Sequence, residues 1–466
     1  MQHPSQVPAS SSSHTLELDD GSRVAVMGGG PAGSFFAYFA LDLARRAGRD
    51  LSVDIYEPRD FSGVGPASCN MCGGIISESL VQNLAAEGIN LPATVVQRGI
   101  ESYTLHMDAG AVRIETPLQE MRIGAVHRAT GPKDLKEPKW QSFDGFLQSL
   151  ALEKGATLHR RRVDKVDWVD GKPVMETKDQ RSEPYDLLVV AAGVNSPTLK
   201  LFDEDRWSYR PPQTTKTFIR EFFFGAEKLE KYLGSSMHVF LLAIPGLEFA
   251  AIVPKGDYAS VCLLGEKIDK AMLQSFLESP EVKGTMPPDW EAALNSCQCS
   301  PKMNVRGAKV PYDDRLVFIG DAGVTRLYKD GIGAAYRTAK AASATAVFEG
   351  VSRRAFEEHF LPVCRSIEAD NDIGRFVFRV TEEIQKRGFA RKAVLRTVAG
   401  EQQRPGRQRR MSMVLWDMFT GSATYRDIFK RALHPGFLAR LGWNLVVALT
   451  ENPGKRGARS EFGQSG

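Results

Sequence analysis

Cysteine is scarce in this chain: six residues in 466, at positions 69, 72, 262, 297, 299 and 364. That is too few for a secreted scaffold held by disulfides, and it suits a reducing, cytoplasmic compartment. Zinc is poorly served as well, because Cys69-x-x-Cys72 has no second pair at a zinc-site spacing and Cys297-Gln298-Cys299 is too tight for one; no metal is expected. Long apolar runs are missing too, so no stretch of about 18 or more apolar residues is available to span a bilayer as a helix. Charge of one sign does not dominate: 60 Lys and Arg face 56 Asp and Glu, and with no recognised module this gives no reason to expect nucleic acid. The first twenty residues lack an apolar core and are rich in Ser, Pro and Gln, so 1–21 reads as a loose, disordered tail and not a signal peptide.

What is present begins directly after that tail. "SRVAVMGGGPAGSFFAYFALDLARRAG" reads as a short strand, a glycine turn and a long helix. Gly28, Gly30 and Gly33 fit G-x-G-x-x-G, with Pro31 and Ala32 opening the helix. The first glycine permits the turn, the second lets backbone approach a pyrophosphate, and the third lets helix and strand pack closely. A second strand, "LSVDIYE", ends in Glu57, placed to accept ribose hydroxyls. Strand, glycines, helix, strand and terminal acid in that order predict a dinucleotide site. Far downstream, "DRLVFIGDAGVTRLYKDGIGAAYRTAKAA" repeats the theme: an apolar strand, Gly320-Asp321, a variable loop, then Gly331 and Gly333 entering a helix of small residues.

Together these segments resemble the large FAD-binding superfamily related to aromatic hydroxylases. The resemblance implies FAD, with Asp321 at the ribityl and phosphate region and the helix after Gly331 beside the flavin pyrimidine edge. A helix N-terminus there would stabilise anionic reduced flavin. Arg128 falls where an arginine often lies near the flavin chain, although a solvated arginine explains it equally well. "PYDLLVVAAGVNSPTLK" resembles the middle motif, with Gly193 and Ser196 in place but Ala192 where the hydroxylases carry an aspartate. Within the superfamily the chain is similar to the geranylgeranyl reductases. The Cys-then-glycine stretch "CNMCGGII" carries that similarity, with "GLEFAAIVPKGDYASVCLLG", where Phe249, Pro254 and Lys255 match their substrate signature. Ala251 and Val253 depart from it, as do Cys262 and Leu264 where glycines are expected. That resemblance implies a reductase saturating carbon–carbon double bonds of a prenyl or similar lipid chain, with NAD(P)H or ferredoxin as candidate electron donor. Cys72, or else Cys69, would be the thiol near the flavin, and a redox pair of the two stays open. The alternatives are an FAD monooxygenase or halogenase of an aromatic substrate, and an electron-transfer flavoprotein donating to quinone.

The expected fold class is α/β: a discontinuous Rossmann-type FAD domain (22–100, 143–200 and 305–350), an inserted antiparallel-sheet substrate domain (101–130 and 212–300) and a helical C-terminal region (351–466). In that last region, Lys386 to Arg410 carries nine basic residues against one acidic, Glu401. The apolar run Phe437 to Leu449 suits a membrane-surface helix, with a buried packing helix as the rival.

Overall fold

The computed structural model describes residues 16–116, 123–133, 139–202, 207–265, 267–293, 297–404 and 409–450. Its centre is a six-stranded sheet in the order Tyr312–Asp313, Leu316–Phe318, Leu187–Val190, Arg23–Met27, Ser52–Tyr56, Thr157–His159. All neighbours are parallel except the first pair, a hairpin. Strands covered on both faces must be apolar throughout, which is why "RVAVM" and "LLVV" show no alternation. One face packs on helices Pro31–Arg46, Phe143–Glu153 and Gly331–Phe348. The other packs on the hairpin formed by Val163–Val169 and Lys172–Thr177, with Phe202 and Tyr209.

The second sheet runs Gln298–Cys299, Gln213–Phe223, Tyr258–Gly265, Leu247–Pro254, Ser236–Phe240, Ser102–Met107, Gly110–Glu115, and Lys302–Arg306 also pairs with Gln213–Phe223. It is antiparallel except where Ser236–Phe240 lies parallel to Ser102–Met107. Those two strands come from separate insertions, so no hairpin dictates their direction. Register alternates two sets of side chains. Ala250, Ile252, Ala259 and Val261 face a layer of short helices. Phe249, Ala251, Val253 and Leu264 face the opposite way, toward C-terminal helices that carry Val394, Trp416, Phe419 and Tyr425. The inserted sheet is therefore shared: one end of this face meets the dinucleotide domain and the other the C-terminal helices. Ile123–Ala125 joins neither large sheet; it pairs with Ile75–Ile76 and Arg98–Ile100 in a three-stranded one.

Residues 16–21 correct the tail read from composition. Leu18 is buried in the helix-side core, and the carbonyl of Leu16 accepts from the Val351 N–H at 2.6 Å. Two leucines in a polar stretch were enough to seat it against the last turn before Arg353. Residues 1–15 lie outside the described residues.

Candidate active site

The glycine turn has the geometry a dinucleotide needs. Gly28 adopts φ +109°, and a Cβ there would stand 2.7 Å from the Ala191 carbonyl oxygen. A Cβ on Gly33 would stand 1.9 Å from the Gly28 carbonyl oxygen, so helix and strand meet with no room for a side chain. The helix begins at Pro31 with no side-chain cap and no acid in its first turn, leaving its N–H groups for an anion. Glu57 is buried, and its carboxylate accepts from the N–H groups of Gly29 and Arg59, each at 2.9 Å. Burial raises its pKa and these two bonds oppose the rise. Gly320, at φ +59°, brings the second motif directly onto the first: its Cβ would stand 2.7 Å from that of Ala32. Asp321 follows, half-buried, its pKa raised by burial against the pull of Arg128. These features fit an adenine dinucleotide with a charged linker. Gly193 lies exposed, its carbonyl closing a turn to Ser196.

Arg128 is not solvated. It is 9% exposed, and its Nε and Nη2 both bond Asp144, the latter at 3.0 Å. Burial alone would favour the neutral guanidine; the charge and hydrogen bonds of Asp144, with the nearby loop thiols, together outweigh it and the pKa rises. Asp144, in the first turn of its helix, also accepts from Asn70, which in turn accepts from Arg59. The Cys-Asn-Met-Cys stretch is thus pinned by its asparagine against the dinucleotide turn, where the Asn70 amide nitrogen is 3.2 Å from a Cβ built on Gly30. The two glycines after it have separate reasons. A Cβ on Gly73 would stand 3.1 Å from the sulfur of Cys262, and one on Gly74, at φ +72°, only 2.0 Å from the Val126 carbonyl oxygen. Gly73 therefore lets the loop press on the inserted sheet, and Gly74 lets it press on the segment that follows the small three-stranded sheet.

Both thiols of the loop are free, and their sulfurs accept backbone N–H groups: Cys69 from Met71 at 3.2 Å, Cys72 from Gly74 at 3.4 Å. Burial pushes Cys69 up to about 11. A shallow cleft is lined by Cys69, Cys72, Cys297 and Cys299 with His127 and Glu221. Two cysteine pairs distant in sequence thus line one cleft, yet among the described residues no group of three or more His, Cys, Asp or Glu could hold a metal ion.

On the sheet side, Lys255 is fully buried, 3.7 Å from Glu221, and its Nζ has no hydrogen-bond partner among the described residues. Glu221 also accepts from Ser260 at 2.6 Å. His127 takes the Ala129 N–H on Nδ1 at 3.0 Å, which leaves the proton of a neutral ring on Nε2. Burial, then the charge of Lys255, pushes its pKa down to about 3. Phe249 is buried on the face shared by the two neighbouring regions, whereas Pro254, paired with Ala259, lies on the opposite face among the short helices. Pairing parity separates these two signature residues.

Sequence reasoning missed Lys329. Its ammonium lies 4.1 Å from the centroid of Phe249 and 5.8 Å from that of Phe419, and burial pushes its pKa down to about 7. Tyr328 and Phe378 complete an aromatic group around Phe249, with ring centroids 4.9–6.4 Å apart. No spacing rule announces a lysine in a variable loop; its place after Gly320-Asp321 was the one available hint. The helix end that follows also differs from expectation. Asp330, with its side chain 1% exposed, sets its carboxylate against that first turn, and a Cβ on Gly333 would stand 2.2 Å from its Oδ1. Ser77 and Arg337 bond the same carboxylate at 2.9 and 3.2 Å. Gly333 is small because Asp330 occupies the space. A carboxylate there also offsets the dipole expected to favour an anionic ring. Gly331 stays open: a Cβ built there would meet only the Thr325 hydroxyl, at 3.6 Å.

Fold and cradle together define the class at the level of fold: a two-sheet α/β fold of the kind seen in FAD-binding flavoproteins. Comparison with solved structures agrees. The halogenase PltM in complex with phloroglucinol and FAD matches with TM-score 0.56 at 10% identity, over 92% of this chain and 91% of that one. A flavoprotein/dehydrogenase from Cytophaga hutchinsonii matches with TM-score 0.56 at 13% identity, over 92% and 99%. The peptidyl tryptophan dihydroxylase QhpG matches with TM-score 0.51 at 21% identity, over 79% and 76%. No protein-family model matches the chain, and no curated protein matches it.

Proposed function

We propose that this chain is an FAD-dependent monooxygenase or halogenase acting on an electron-rich aromatic compound. The observation that carries the reading is Lys329, held over Phe249 beside Tyr328 and Phe378, with a pKa near neutrality. An aromatic cluster suits contact with a flat ring, and a lysine about half neutral at pH 7 can take the proton of a phenol, raising the electron density of its ring. Bound FAD, reduced by an external donor such as NAD(P)H, would supply the activation of dioxygen. The chain's own part is to hold the cofactor through Gly28, Gly30, Gly33, Glu57 and Asp321, to seat the CNMCGG loop through Asn70 and Asp144, and to bind and deprotonate the substrate. The solved structures support this reading by name: one holds phloroglucinol with FAD, and another is called a tryptophan dihydroxylase.

Reduction of a prenyl chain, the reading implied by the loop cysteines and the Phe249–Lys255 signature, is the weaker alternative. Pro254 lies on the sheet face opposite Phe249, and the thiol of Cys69 is buried and held protonated. The test is turnover of the purified, reduced protein with a panel of phenols and a prenyl diphosphate, in air and under nitrogen. Yellow protein that releases FAD on denaturation, with a hydroxylated or halogenated product formed only in air, is the expected result. Prenyl saturation under nitrogen would replace it with the reductase reading, and protein that takes up no FAD would end both. For a phenol substrate, kcat/KM should show a pH limb near 7 that Lys329→Met removes.

A further inference from the structure

The last described helix, Pro435–Thr450, carries apolar residues on two sides and uses only one of them for packing. Phe437 and Ala448 are buried, Asn444 donates to the Thr397 hydroxyl at 2.9 Å, and Arg440 lies 3.6 Å from Glu401; these fix the inner side against helix Gly388–Gln402. The outer side exposes Leu438, Trp443, Val446 and Leu449 at 50, 69, 55 and 62%, and Leu433 just before the helix at 53%. Residues 438, 446 and 449, with the half-buried 442 and 445, recur at helical spacing, so the exposed apolar groups form a stripe and not a scatter. At 16 residues the helix is too short to cross a bilayer, and among the described residues no helix is long and apolar enough to do so.

Charge around the stripe says what would cover it. From Lys386 to Thr450 the sequence holds 13 basic and three acidic residues. Of the three acids, Glu401 and Asp417 are buried. Glu401 is consumed by the N–H groups of Met411 and Ser412 and by the Ser412 hydroxyl, and Asp417 by Arg431. The surface is therefore more positive than the composition alone suggests, with Lys392, Arg404, Arg426 and Lys430 exposed on the segments around the helix. An apolar stripe with an exposed tryptophan, set among cations whose acids are turned inward, matches the interface of an anionic bilayer.

We infer that helix Pro435–Thr450 is a membrane-surface anchor, lying in the headgroup region of anionic lipid with Trp443, Val446 and Leu449 inserted. The full-length protein should float with phosphatidylglycerol-containing vesicles and stay behind with pure phosphatidylcholine. Raised salt should weaken the binding. Trp443→Ser combined with Val446→Ser should reduce the bound fraction about tenfold or more, and Arg426→Glu with Lys430→Glu should do the same through charge. All four sites are exposed, so each variant should keep the parent's circular dichroism and melting temperature. Failure of the parent protein to float with either vesicle would overturn the inference. So would light scattering that shows a dimer which the Trp443/Val446 variant converts to monomer, because the stripe would then be covered by a second copy.

Discussion

The proposed chemistry rests on Lys329, and the titration of that side chain makes it measurable apart from turnover. Its pKa stands near 7 in the folded chain, against about 10.4 for a free lysine. Between those values the unfolded chain holds a proton that the folded chain does not, so stability falls as pH drops from about 10.5 toward 7 and then levels off. Replacing the lysine by methionine, which keeps the aliphatic contact with Phe249, removes that loss. Chemical denaturation should find Lys329→Met more stable than the parent at pH 7, with the gap closing above pH 10. An equal gap at both pH values would mean that the lysine is charged in both states.

At the scale of an element, the loop from Cys69 to Gly74 is tied at its asparagine and squeezed at its glycines. Gly74 combines a left-handed backbone with a carbonyl 2.0 Å from any added Cβ. Gly74→Ala should therefore cost more than the ~1 kcal/mol of an ordinary glycine replacement in a strained turn, and should lower FAD occupancy, read as the ratio of flavin to protein absorbance. Full occupancy with unchanged stability would show that the loop is free to move away from Val126. The glycines were legible in the sequence and their neighbours were not. "CNMCGGII" announces a tight approach, but that the approach is to Val126 and Cys262 depends on strand register. The same holds for Arg128: its type was readable, while its partner Asp144 sits one helix later with no motif to mark it. Glu57 and the G-x-G-x-x-G turn lay open to sequence reasoning because Glu57 bonds the turn within one strand–helix–strand unit, whereas the turn's approaches to Ala191 and Gly320 come from far downstream. Lys329, Glu221 and His127 did not lie open, because what defines them is the meeting of three separate regions.

For the whole molecule, buried neutral histidines set the acid limit. His106, His127 and His238 have pKa values pushed down by burial to about 3, 3 and 4. Each is depressed, so its contribution is complete above the unfolded value of about 6.5 and is lost as pH falls toward the folded values, at up to about 1.4 kcal/mol per pH unit per residue. The melting temperature should decline gently from pH 8 to 7, where Lys329 alone contributes, and fall steeply between pH 6 and 4. The doublet His106–His238, Nε2 to Nδ1 at 2.9 Å, makes His106→Gln a direct check, since it should flatten the decline. A flat profile in the parent would place those rings in water. The architecture itself was readable at this scale, since strands covered on both faces and helix-period segments leave plain patterns. The division of one sheet face between two neighbours was not, because both neighbours present the same apolar chemistry to it.

The contact between Gly320 and Ala32 also bears on time. These residues touch across nearly three hundred positions of chain, and the dinucleotide turn is unfinished until they do. Closing so long a loop is slow, and its entropic cost falls before any contact rewards it. During synthesis the first motif must wait, strand and helix in place, for the second to emerge. A cofactor that needs both would bind only at the end of folding, so added FAD should slow unfolding while leaving the rate of refolding almost unchanged.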